Sequence, residues 1–253
     1  MKNIANFFTL LNLLLGCMSI IFMLQTGESV MNYSGGEWKV FFPERVQWGA
    51  FCILLAAAID FLDGFIARIL NAESELGKQL DSLSDIVSFG VAPGILMYQL
   101  LRIAYAYEPT GLDTPMYLLL PALLLPLAAA WRLARFNISR ANLSGFIGVP
   151  APAAGIFIAS LPLVIWYNYF GLQHFIINKW VLYGIVLITS FLMVSKLPML
   201  SFKIVNRSIQ SNWKKLLLLV VGIVGFFVFQ WLTIPIIFLL YIILSLLPEN
   251  KRA

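Results

Sequence analysis

Of 253 residues, 60% are apolar and only 11% are charged, against about 25% charged in an ordinary soluble domain. This balance excludes a water-soluble globular protein and leaves an integral membrane protein. The net charge of +5 does not imply a nucleic-acid partner, because the basic residues are sorted by membrane side rather than gathered into one patch.

Apolar stretches approaching the roughly 20 residues that cross a bilayer fall near 7–25, 46–70, 84–105, 115–134, 153–170, 178–195, 214–231 and 234–248. The first contains Leu14-Leu15-Gly16-Cys17, which has the pattern of a lipoprotein cleavage box. With only Lys2 ahead of it, the segment reads instead as an uncleaved span in which Gly16 serves packing. Cys17 and Cys52 both lie in predicted spans and suggest neither a disulfide nor a metal cluster.

The second and third spans carry the chemistry. Four of the five aspartates, Asp60, Asp63, Asp81 and Asp85, lie within or at the edge of these apolar segments, and an intramembrane carboxylate is costly enough to imply function. At about 100° per residue, Asp60 and Asp63 share a helix face with Gly64 and Ala67, and Arg68 borders it. Asp81 and Asp85 are one turn apart, and Gly77 extends their stripe. The second span ends on the side where the third begins, so both pairs sit at one membrane depth. Facing carboxylates repel unless cations neutralise them, and an all-oxygen donor set points to Mg²⁺ or Mn²⁺. A purely structural alternative has the acids paired with Arg68 and Lys78, but two cations cannot balance four carboxylates.

The fourth span ends in Arg132 and Arg135, i, i+3 neighbours that can face one cavity. Alternatively they anchor the span among lipid phosphates. Gly148 to Pro152 reads as a structured loop or broken helix at the inner face. His174, the only histidine, falls in an outer loop, and Trp48, Trp166, Tyr167, Tyr169 and Trp180 read as interfacial anchors. The last two segments join at Thr233-Ile234-Pro235, giving eight spans, or six if the pair is a re-entrant hairpin. With the N-terminus inside, thirteen of the 17 basic residues lie on the inner side. The acids then face the cytoplasm.

The spacing Asp60-x2-Asp63-Gly64-x2-Ala67-Arg68-x8-Gly77-x3-Asp81-x3-Asp85 resembles the signature of the CDP-alcohol phosphotransferase superfamily at all its positions. Within it the chain resembles the membrane-embedded phosphatidylserine synthases, through Asn6 to Leu13 with Gly16, Leu80 to Pro93, Arg132 to Asn137, and Phe146 to Ala154. The likeness extends over about 4–203. It implies an all-α polytopic membrane helix bundle: a six-helix catalytic core, 1–203, plus a C-terminal transmembrane helix pair, 204–253. It also implies a homodimer in a bacterial-type cytoplasmic membrane.

By this resemblance Asp60, Asp63 and Asp81 would bind one metal, and Asp81 with Asp85 a second. Asp85 would also be the general base. Asn6, Gly64, Ala67, Arg68, Ser74 and Gly77 would hold the nucleotide and diphosphate of CDP-diacylglycerol. The implied reaction transfers its phosphatidyl group to L-serine and releases CMP. Arg132 and Arg135 would meet the serine carboxylate, and Ser84 and Ser88, on the face of Asp81 and Asp85, would line the same cavity. Glycerol 3-phosphate, inositol phosphate or choline are alternative acceptors; an extra cationic cluster or an aromatic cage would mark them. An intramembrane prenyltransferase would show acidic motifs far apart in sequence. An ion transporter would favour midplane acids and internal symmetry.

Overall fold

The computed structural model describes residues 2–25, 31–34, 37–40, 42–69, 74–108, 113–139, 146–200 and 209–247. Helix α1 is Lys2–Leu24 and α2 is Glu44–Ile69; the short strands β1 (Met31–Ser34) and β2 (Glu37–Val40) pair antiparallel between them. Helix α3 (Glu75–Ile86) runs through a π segment, Val87–Val91, into α4 (Ala92–Ala106). Two 3-10 turns, Met116–Leu118 and Leu120–Leu123, precede α5 (Leu124–Ser139). After β3 (Phe146–Ile147) come α6 (Ala151–Tyr167), the short α7 (Gln173–Ile176), α8 (Lys179–Val194) and β4 (Pro198–Met199). The described chain ends with α9 (Ile209–Phe229), a 3-10 turn at Gln230–Leu232, and α10 (Thr233–Leu246). The architecture is thus an all-α membrane helix bundle, with two small antiparallel pairs that the hydropathy pattern did not announce.

The core lies around α4 and α6, which are apolar and buried nearly all round, as expected of helices enclosed by other helices. Outward faces remain apolar, with Phe61, Trp131, Phe191 and Phe227 exposed. In water such a surface would drive aggregation; in lipid it is the solvated face. Polar residues inside tie helices together: Ser19 Oγ donates to Gly49 O at 2.7 Å, and Gln99 Nε2 to Met23 O at 2.8 Å.

Two predicted spans are drawn differently by the structure. The third is not 84–105 but a continuous 32-residue helix, Glu75–Ala106, capped by Ser74, whose side chain accepts from Gly77 N. At 1.5 Å per residue it is about 48 Å long, so its polar first turns extend beyond the roughly 30 Å hydrocarbon core. The fourth span is irregular at its start because Pro115 and Pro121 remove backbone donors there. The regular helix begins only at Leu124 and carries Arg132 to Asn137 within it.

The final pair is a helical hairpin. Lys214 Nζ near the start of α9 donates to Leu247 O beyond α10 at 2.6 Å, and Gln230 turns the chain with φ 50. The 21 residues of α9 cover about 31 Å, enough to cross the bilayer.

The π segment is gripped on three sides. A Cβ on Gly16 of α1 would lie 2.5 Å from Ser88 Oγ and 2.9 Å from Ser88 Cα; one on Gly155 of α6 would lie 3.0 Å from the Phe89 ring; and one on Gly90 would lie 3.0 Å from Ala129 Cβ on α5. Gly16 therefore does serve packing. A Gly16→Val substitution forces α1 off the π segment, and overpacking of this kind costs about 1–3 kcal/mol. The expected outcome is a lower melting temperature of the purified protein by thermal denaturation, with Ala tolerated better than Val.

Candidate functional site

The acids converge as their spacing predicts. One carboxylate oxygen from each of Asp60, Asp63 and Asp81 lies within 4.8 Å of the others. Asp60 and Asp63 come from the last part of α2, and Asp81 from the second turn of α3, so the site is a junction of two helices. Asp85, one turn further along α3, is buried and borders the same cavity as Asp60 and Asp81. Its Oδ1 has no hydrogen-bond partner among the described residues.

Helix α1 braces this junction from behind. Thr9 Oγ1 donates to Asp63 Oδ2 at 2.9 Å, so a neutral hydroxyl fixes one carboxylate without neutralising it. Backbone carbonyls of the same helix accept from α3 and the π segment: Ser84 Oγ bonds Thr9 O at 3.1 Å, and Ser88 Oγ bonds Asn12 O at 3.0 Å. Ser84 and Ser88 are therefore buried ties to α1 and do not line the cavity, contrary to the sequence expectation. They share the helical face of the acids only coarsely, and α1 occupies the side toward which their hydroxyls point.

Asn6, Ser74 and Gly77 form a second small cluster. Ser74 Oγ accepts from Gly77 N at 3.0 Å. A Cβ at Gly77 would sit 3.1 Å from both Asn6 Oδ1 and Ser74 Oγ, so the glycine permits the start of α1 to approach α3. A Cβ at Gly64 would meet nothing within 4 Å among the described residues, which leaves open space beside the acids. The side chains of Ala67 and Arg68 lie outside the described residues. Lys78, the other proposed partner of the acids, pairs with Glu75 at 2.9 Å instead.

A cavity of about 950 Å³ opens from Asp60, Asp81 and Asp85. Arg132 borders it and is almost fully buried, with its Nε unpartnered among the described residues and its guanidinium 5.8 Å from the Phe136 ring centre. Arg135 turns elsewhere: its Nη1 donates to Val194 O at 2.8 Å, closing the C-terminal end of α8. The expectation that both arginines face the cavity is corrected to Arg132 alone. The three-residue spacing rotates Arg135 by about 60°, enough to aim it at the neighbouring helix.

Pro150, Pro152 and Ala153 line the cavity where the predicted loop enters α6. Gly148 holds φ +72, and a Cβ there would fall 2.5 Å from Met193 O. The loop is further pinned by the pairs Phe146↔Met199 and Ile147↔Pro198.

Sequence reasoning missed four contributors. Thr9 and Asn137 had a signal, since Thr9 lies three residues after Asn6 and Asn137 closes the Arg132 stretch; Asn137 Nδ2 donates to Ser82 Oγ at 2.9 Å beside the acids. Lys215 and Tyr241 also line the cavity. Their place depends on how the terminal hairpin docks, which no local pattern reveals.

The donor set suits a metal ion. Asp60, Asp63 and Asp81 converge closely enough that they would together hold a divalent ion, and oxygen-only donors favour a hard cation. The buried Asp85 oxygen supplies a further acceptor beside them.

The family model for CDP-alcohol phosphatidyltransferase matches residues 2–192. The chain belongs to this family. It is 36% identical over 126 residues to the CDP-diacylglycerol--serine O-phosphatidyltransferase of Bacillus subtilis, covering 48% of this chain and 66% of that protein. To the protein of the same description from Mycobacterium leprae it is 34% identical over 186 residues, 70% of this chain and 58% of that one. For the Helicobacter pylori protein of that description the values are 33% over 181 residues, 69% and 70%. The match thus spans less than two thirds of the Bacillus and Mycobacterium proteins' own lengths.

Groups that orient metal ligands typically affect metal affinity by about 10–100-fold. Replacement of Thr9 by Val, which keeps the shape and removes the hydroxyl, should weaken Mn²⁺ binding in that range. Titration calorimetry on the purified protein would measure it, and unchanged affinity would show that Thr9 is a packing residue only.

Proposed function

We propose that this chain is a phosphatidylserine synthase: it transfers the phosphatidyl group of CDP-diacylglycerol to the hydroxyl of L-serine and releases CMP. The observation that carries the reading is the convergence of Asp60, Asp63 and Asp81 on a cavity that also presents Asp85 and the buried Arg132. The family match and the activities for which the relatives are named support the donor and the acceptor. The catalytic core would be residues 1–203, working as a homodimer, with the site open to the cytoplasm, a side that the bias of basic residues supports.

Asp60, Asp63 and Asp81 would hold one divalent ion, Mg²⁺ or Mn²⁺, and Asp81 with Asp85 a second. When bound, such ions supply charge neutralisation at the diphosphate and at the departing CMP oxygen. The chain's own residues do the rest. Asn6, Ser74 and Gly77 form the wall for the nucleotide, with Gly64 leaving room next to the acids. Asp85 accepts the proton from the serine hydroxyl as that oxygen attacks the lipid-side phosphorus. The bond from that phosphorus to the bridging oxygen breaks, and CMP leaves. Arg132 would meet the serine carboxylate, to which a guanidinium offers paired donors. Ala67 and Arg68 keep the nucleotide and diphosphate role that the resemblance implies.

A phosphorylated acceptor is the second reading. Lys215 adds a cation to Arg132 along the same cavity, and two cations suit a phosphate as well as a carboxylate.

Purified protein given CDP-diacylglycerol, labelled serine and Mg²⁺ or Mn²⁺ should yield labelled phosphatidylserine and CMP. Product from glycerol 3-phosphate with none from serine would replace the acceptor. Asp85→Asn should lower kcat by at least about 10²-fold, the lower end for loss of a positioned base, while CMP binding persists. Arg132→Ala should raise the KM for serine by roughly 10–100-fold, as expected for a lost hydrogen bond to a charged group. A change confined to kcat would remove Arg132 from acceptor binding.

A further inference from the structure

The family match ends at residue 192, yet the wall of the cavity continues well beyond it. Asn212, Lys215 and Leu219 of α9, and Ile234, Phe238 and Tyr241 of α10, all border the same space as Asp60 and Asp85. The terminal hairpin is therefore part of the compartment in which the acids sit.

The cavity is polar at one end and apolar at the other. Four helices give the same direction. On α2 the lining passes from Asp60 back to Ala57, and on α6 from Pro150 to Ile156. On α9 it passes from Asn212 and Lys215 to Leu219, and on α10 from Tyr241 to Ile234. Lys214 Nζ bonds Leu247 O across the open end of the hairpin, so Lys215 and Tyr241 lie toward that end and Leu219 and Ile234 toward the turn; on α2 and α6 the apolar residue is one to two turns in from the acid or the loop. The seven residue steps from Ile234 to Tyr241 cover about 10 Å, against roughly 15 Å for half of the hydrocarbon core.

The deep end is built firmly. Phe238 stacks on Phe157 of α6, with ring centres 4.3 Å apart and planes within 4°. A Cβ on Gly225 of α9 would lie 2.9 Å from Thr233 Cγ2, so the hairpin is closed tightly near its turn. At the opposite end, Leu200 N donates to Ser245 Oγ at 3.1 Å, fastening α10 to the segment after β4.

We infer that α9 and α10 form one wall of an acyl-chain groove, so that a lipid donor lies with its diphosphate at the carboxylates and the first part of one acyl chain against Leu219, Ile234 and Phe238. The occupant is an amphiphile because the groove is one: charged groups at the mouth, hydrocarbon behind them, and a single continuous volume between. A water-soluble acceptor gains nothing from the deep end, and a lipid without an anionic head leaves the cations and any bound metal unmatched. The inference rests on the proposed reaction for its donor, and it assigns the hairpin a part in choosing that donor's chains.

The test uses the full-length wild-type protein in nanodiscs, without acceptor, and CDP-diacylglycerol carrying a photoreactive diazirine part-way along one acyl chain. Illumination followed by peptide mapping should place the label on α9 and α10, and excess CDP-dihexanoylglycerol should compete it away. Label found elsewhere, or label that the short-chain donor does not displace, overturns the groove. In addition, Ile234→Trp should raise the ratio of KM for a dioleoyl donor to KM for a dihexanoyl donor by at least tenfold; an unaltered ratio with wild-type melting behaviour also overturns it. The two proposals fail separately. Competed hairpin labelling without transfer to serine removes the acceptor assignment and keeps the groove, whereas transfer to serine without hairpin labelling does the reverse.

Discussion

Mutual repulsion among carboxylates in a medium that screens them poorly is the constraint on which this structure turns. Three oxygens within 4.8 Å, at the end of a membrane helix, would separate if the helices carrying them were free to do so. They are held by a rigid surround instead. Helix α1 contributes most of it, with Thr9 fixing Asp63, and the Thr9 and Asn12 carbonyls fixing Ser84 and Ser88. Gly16 lets the two backbones close to a distance that no larger residue permits. The free energy of packing several helices together is thereby set against the electrostatic cost at one point, a cost that a bound cation would relieve.

The same logic accounts for the π segment. It follows Asp85 immediately, and its residues are packed by α1, α5 and α6 at once. A π turn adds a residue to the helix and offsets the faces before and after it. Here the offset separates a half that carries acids toward the cavity from a half, α4, that is buried almost completely in apolar contact. The long helix can thus be both a catalytic wall and the centre of the bundle.

Polarity along the cavity links chemistry to the membrane. Arg132, Lys215, Asn137 and the acids share one cavity with Ile156, Leu219 and Ile234. An amphiphilic substrate entering sideways from lipid would find its charged part and its hydrocarbon part already matched. Such a site needs little desolvation of the tail, since the tail leaves one apolar medium for another. Selectivity then falls to the charged end, where burial makes each hydrogen bond count for more.

Much of this was legible in the sequence. The membrane class follows from composition alone, and the acid motif fixes its own geometry, because helical periodicity puts i, i+3 and i, i+4 residues on one face whatever surrounds them. Asn6, Ser74 and Gly77 were likewise legible from the family likeness, and the structure brings them together. Other assignments depended on contacts between distant segments. Ser84 and Ser88 share the acids' stripe in sequence but donate to α1, and Arg135 leaves Arg132's side to close α8. Lys215 and Tyr241 reach the cavity only because the terminal hairpin folds back on α6. A repeating local pattern determines which residues share a face of one helix; which partner covers that face is decided by packing among all the helices, and only the tertiary structure contains it.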